Sequence, residues 1–240
     1  MDERKAAEQS ELKPHLLIDV LLYPISVAGG IHLLIFWLAP LLITLLGRLL
    51  SRAGPYGGVL TLLFYIVLTG YMFYYLGECV RDSAAGGVRA PDISTQAAPD
   101  RGDLLSQEIY MLGCIAVCFC PVVVYRLVTG RIDVIFWVLA GCGIFFFPMA
   151  LLAVAMFDSM SALNPLLLIG SILSTFLPYC GLVLLFCGLG GLVALAISTL
   201  PQSRALGSVF GIAFIYLAMV TAHILGRFYW RYKEKLYWEA

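Results

Sequence analysis

Ionisable side chains inside apolar runs are the residues of this chain best placed to do chemistry. His32 lies early in the first long apolar run, and His223 lies within the last one. A helical reading puts His223 on one face with Arg227, four residues on. An imidazole held inside a membrane either relays protons, contacts a ligand, or is satisfied by a hydroxyl or carbonyl of a neighbouring helix. Asn164 followed by Pro165 adds a third feature, because it breaks an apolar run. A broken helix frees backbone groups that can line a transport site. His32, His223 and Asn164 are therefore the candidates for ligand contact or proton relay. Asp19, Glu78, Asp133 and Asp158 fall at expected helix ends, where water or headgroups reach them.

The remaining chemistry-bearing residues point elsewhere. Cys114, Cys118 and Cys120 sit within two turns, but no matching His or Cys cluster accompanies them at metal-site spacing. They read as small packing residues, and no metal ligands are expected. The seven cysteines do not form an extracellular disulfide pattern, since six lie in apolar runs. Gly188, Gly190 and Gly191 lack the spacing of a nucleotide fingerprint, and no strand precedes them. No Walker, HExxH or GxSxG motif is present. No catalytic residue and no cofactor are expected, and the chain reads as a non-enzyme.

The elements that must position these residues are membrane helices. Of the 240 residues, 61% are hydrophobic and 12% charged, with a mean hydropathy of +0.93. A soluble domain carries about 25% charged residues. The expected fold is all-α, a polytopic bundle of six spans with short interfacial helices. Spans are expected near 27–46, 53–77, 109–125, 134–157, 176–198 and 205–226. Residues 1–24 form a polar N-terminus followed by an interfacial helix over 15–23. A seventh span arises if that opening stretch crosses. Residues 165–174 should form a short helix capped by Asn164, because proline is tolerated in a first turn.

The loops set orientation and contacts. One side of a six-span bundle carries ten Lys and Arg, the other five, so both termini are expected in the cytoplasm. Net charge is zero and suggests no nucleic-acid partner. The 78–108 loop reads as a flexible connector or a docking segment, with a short "GDLLSQE" helix capped by Asp103. The tail from residue 227 alternates bases and rings. Arg227, Tyr229, Trp230 and Arg231 are expected as interface anchors. Gly207-x-x-x-Gly211 marks a close helix approach, within the bundle or between two copies.

The stretches "GGVRAPD", "DRGDLL" and "FPMALLAVAMFDSMSALNP" resemble bacterial polytopic membrane families of the domain-of-unknown-function type. The resemblance covers about two-thirds of the chain. It implies six spans and a membrane location, and it carries no activity. The function expected is a non-enzymatic inner-membrane scaffold or accessory subunit that organises lipids, partner membrane proteins or further copies of itself. A small-solute transporter or channel is the alternative, and an intramembrane enzyme the third.

Overall fold

A computed structural model describes residues 20–54, 56–92, 101–199, 204–236 and 238. The fold is all-α. A 3-10 turn at Tyr23–Ile25 leads into α1 (Val27–Ala53), α2 (Tyr56–Ala84), α3 (Arg101–Thr129) and α4 (Val134–Phe157). A second 3-10 turn, Met160–Leu163, precedes the short α5 (Pro165–Ser174), then α6 (Phe176–Thr199) and α7 (Arg204–Tyr232). Among the described residues, six helices are long and apolar enough to cross a membrane, all but α5. The chain is a multi-pass membrane protein. At ten residues α5 is only about 15 Å long, too short to cross. Residues 165–199 therefore cross once. The expected helix over 15–23 falls mostly outside the described residues, although 20–22 are helical.

Local chemistry sets the helix ends. Ser26 caps α1 by accepting the Gly29 amide at 3.2 Å. Asp133 caps α4 through the Phe136 amide at 3.2 Å. Asp158 ends α4 in the left-handed conformation, at φ 46°, which Asp tolerates better than most residues. Asn164 caps α5 through the Leu166 amide at 3.0 Å, with Pro165 in its first turn. Pro40 lies inside α1 without breaking it, and Pro178 sits in the first turn of α6. The paired helix breaks that a transport site would use are thus not formed by these two prolines.

The long helices run alternately up and down. One end of the bundle, here the tail end, gathers residues 23–26, 85–92, 158–164, 233–236 and 238. The other, the hairpin end, holds Gly54 and residues 130–133. Helix α2 is central, packing on α1, α3, α4 and α7, while α4 packs on α3, α5, α6 and α7. The core consists of Tyr75, Cys79, Met149, Leu152, Val154, Tyr179, Met219 and Leu225, all nearly solvent-free. Glycine permits two close crossings. A Cβ at Gly226 would lie 2.5 Å from the Cβ of Ser83, and one at Gly143 would lie 2.6 Å from the Cys118 carbonyl.

Three sequence expectations are corrected. The loop at 78–108 is shorter, because α2 runs on to Ala84 and α3 begins at Arg101. Polar residues continue α2 past its apolar stretch. Glu78 and Arg81 pair at 2.7 Å, and Arg81 also reaches Asp158 at 2.7 Å and the Ala155 carbonyl at 2.9 Å. One guanidinium thereby joins the ends of α2 and α4. Asp103 is the third residue of α3, so it is not the cap of a separate helix. Finally, within the chain a Cβ at Gly211 would meet nothing within 4 Å. The close contact of α7 is made by Gly226 instead; the surroundings of Gly207 lie outside the described ones.

Candidate functional site: a buried polar stripe on α2

Helix α2 places Tyr71, Tyr75, Cys79 and Ser83 four residues apart, which puts them on one face. The stripe runs about 18 Å, from the middle of α2 to the tail end. It faces the start of α1 and the last turns of α7, and each neighbour brings a histidine to it. Tyr75, Cys79 and Ser83 have no exposed surface, and Tyr23 and His223 have 1% each.

At the deep end, His32 packs its ring on Tyr75, with centroids 3.8 Å apart. Its Nδ1 lies 2.8 Å from the Ala28 carbonyl, and its Nε2 lies 2.9 Å from the Tyr71 hydroxyl. A carbonyl only accepts, so Nδ1 carries the proton. In the neutral ring Nε2 is then the acceptor, and Tyr71 donates to it.

At the outer end, His223 stacks on Tyr23 with centroids 4.0 Å apart. Its Nδ1 is 2.7 Å from Ser83 Oγ. The Tyr23 hydroxyl donates to the Cys79 carbonyl at 3.3 Å, and Ser83 donates to the Tyr23 hydroxyl at 3.4 Å. Ser83 Oγ thus lies between His223 Nδ1 and the Tyr23 hydroxyl. Burial holds the Tyr23 phenol neutral, far above its ordinary value.

Between the two ends stands the Tyr75 hydroxyl, fully buried and without a hydrogen-bond partner. It lies within electrostatic reach of the Cys79 thiol and of Tyr71. The thiol in turn lies beside Tyr23. Charged groups that act electrostatically on the stripe include Asp82 and Glu78 on α2, Asp92 after α2, and Arg227 on α7.

Ser83 with His223 is also a hydroxyl and a base in contact, the first two parts of a serine nucleophile. Ser83 has no exposed surface, so in this structure its oxygen is not presented to a substrate. A cavity of 370 Å³ lies away from the stripe, at the hairpin end of α1 and α2, among Leu50, Tyr56, Leu60 and Leu63.

The structure brings His32 and His223 to one stripe and leaves Asn164 apart, as the exposed cap of α5. Arg227 sits over the Trp230 ring at 4.7 Å, and Arg231 lies 6.0 Å from the Tyr232 ring. Tyr229 stacks on Trp238, which is buried and donates to Ser171 Oγ at 2.7 Å. The tail thus folds back onto the bundle, with Leu236 also fully buried. Sequence reasoning missed Tyr23, Tyr75 and Ser83. The Tyr-x3-Tyr-x3-Cys-x3-Ser spacing on α2 was the available signal; nothing local marks Tyr23. Comparison with protein-family models, curated proteins and solved structures gave no match.

Proposed function

We propose that this chain is a non-enzymatic scaffold or accessory subunit of the cytoplasmic (inner) membrane, organising lipids or partner membrane proteins, with both termini in the cytoplasm. The observation that carries this reading is the placement of α6, which packs only lightly on α4, α5 and α7 and leaves most of its surface uncovered by the chain. Leu184, Leu192, Leu195 and Ile197 of α6 are each 60% exposed or more. An outlying helix of this kind adds a face for neighbours without disturbing the core. Arg81, Ser83 and Trp238 at the tail end bond to other helices or turns of the chain, which ties that end together. Orientation rests on the excess of Lys and Arg at the tail end.

The test is extraction of the full chain from its native membrane into lipid nanodiscs, followed by mass spectrometry of what accompanies it. A protein or lipid retained in fixed ratio, and lost when α6 leucines become bulky polar residues, is the expected result. A chain that carries neither, yet binds a small solute saturably, would remove the scaffold reading. It would favour the transporter reading, which the two buried histidines support.

A further inference from the structure

We propose that α5 is a lid at the tail end of the bundle, and that the C-terminal tail is the strap that holds it shut, with Trp238 on Ser171 as the clasp. The inference concerns movement within the chain and stands whether or not α6 gathers partners.

Three observations carry it. The first is that α5 is a separate unit between two fixed neighbours. It has its own cap at Asn164, and it ends at Thr175, whose backbone (φ −122°, ψ 27°) leaves the helical region. Before it, Asp158 and the Met160–Leu163 turn part it from α4. On one side of the lid, Leu152, Ala153, Val154 and Ala155 of α4 have no exposed surface. On the other, Tyr179 pins the start of α6 by donating to the Phe145 carbonyl and meeting the Phe145 ring edge-on.

The second is the inner face of α5. Leu168, Ser171 and Ile172, three and four residues apart, are buried, while Leu166 and Leu173 are exposed. Ser171 is the polar group on that inner face. Its hydroxyl donates to the Leu167 carbonyl at 2.8 Å and accepts the Trp238 indole N–H at 2.7 Å. An indole has one donor and no acceptor, so a buried Trp238 needs this partner.

The third is how the tail reaches it. Lys233, Glu234 and Lys235 are exposed, and Leu236 and Trp238 after them are buried. The Lys235 and Leu236 amides bond back to the Tyr232 carbonyl at the end of α7. The crossing to other elements is made by the Trp238 side chain. Its ring lies 5.3 Å from Phe157 at the end of α4 and 5.4 Å from Tyr229 of α7, and its N–H holds α5. One side chain thus ties three helices, at the end of a charged turn in contact with water. Withdrawing it removes the bond on Ser171 and the ring beside Phe157 without unwinding any helix. With its two breaks as hinges, α5 then swings off α4 and bares Leu168, Ser171 and Ile172.

Backbone hydrogen exchange of the full chain in lipid nanodiscs reads the lid directly. Trp238→Ala should speed exchange at residues 168–175 by about tenfold or more, and leave residues 149–155 of α4 within about twofold, as local opening requires. Trp238→Phe keeps a ring and loses the donor, and Ser171→Ala loses the acceptor. Each should speed the same amides by a smaller factor. Because both remove one bond, Trp238→Phe combined with Ser171→Ala should exchange no faster than Ser171→Ala alone. These conservative variants carry the test independently of the core surface that Trp238→Ala also removes. Unchanged exchange over α5 in all of them would overturn the strap. Equal loosening of α4 would overturn the lid, since the tail would then be one more piece of the core. Additive effects in the double variant would overturn the clasp.

Discussion

A single missing side chain fixes where α7 meets α2. At Gly226 an added Cβ would press on the Val80 carbonyl and on Ser83, and backbone cannot move aside as a side-chain tip does. Gly226→Ala should destabilise the bundle by about 1–3 kcal/mol, the usual range for overpacking. Gly211→Ala meets open space and should change stability by no more than about 0.5 kcal/mol. Thermal unfolding in nanodiscs compares the two, and equal losses would contradict the assigned crossing. Asp133 offers a second residue-scale test, on pH. The Tyr125 hydroxyl, at 2.6 Å, and the Phe136 amide hold its carboxyl below the ordinary 3.8. A depressed folded value gives stability that is present above 3.8 and lost as pH falls through the lower folded value. The stability gap between wild type and Asp133→Asn should therefore be constant near neutrality and close in acid. A gap independent of pH would show that the carboxylate is not what the two donors stabilise.

At the scale of elements, Arg81 joins helices that have no covalent neighbour relation. It bonds Glu78 within α2, and the Ala155 carbonyl and Asp158 at the end of α4. Arg81→Gln should cost about 1–3 kcal/mol, as expected for hydrogen bonds with a charged partner that water screens in part. Hydrogen exchange of backbone amides should show the loosening first at the α4 end, residues 155–158. Loosening confined to the hairpin end would refute the joint. The same region shows what sequence could and could not tell. Hydropathy gave the span 134–157 and the α5 helix with its Asn164 cap, because both depend on local chemistry. It misjudged the end of α2, since Glu78 and Arg81 look like loop residues until Asp158 is brought to them from 77 positions away. It treated residues after 227 as an emerging tail, since nothing local reveals that Leu236 and Trp238 return to the core. The two histidines were legible as intramembrane groups. Their common stripe was not, because Tyr23 enters from a separate turn and only packing unites it with His223.

For the molecule as a whole, the open question of sidedness has a direct geometric test. Helix alternation puts the 85–92 segment and the tail at one end, and the 130–133 turn at the other. In the orientation proposed from the charge bias, the first end faces the cytoplasm. Val88 is 52% exposed in the first segment, and Arg131 is exposed in the opposite turn. Val88→Cys and Arg131→Cys can each be treated with a membrane-impermeant maleimide, in right-side-out and inverted vesicles, with the wild type as background. The added signal for Val88→Cys should appear only in inverted vesicles, and that for Arg131→Cys only in right-side-out ones. Labelling with the sides exchanged would keep the bundle but turn it over. Labelling of both from one side would contradict an odd number of crossings between residues 88 and 131, which α3 alone supplies.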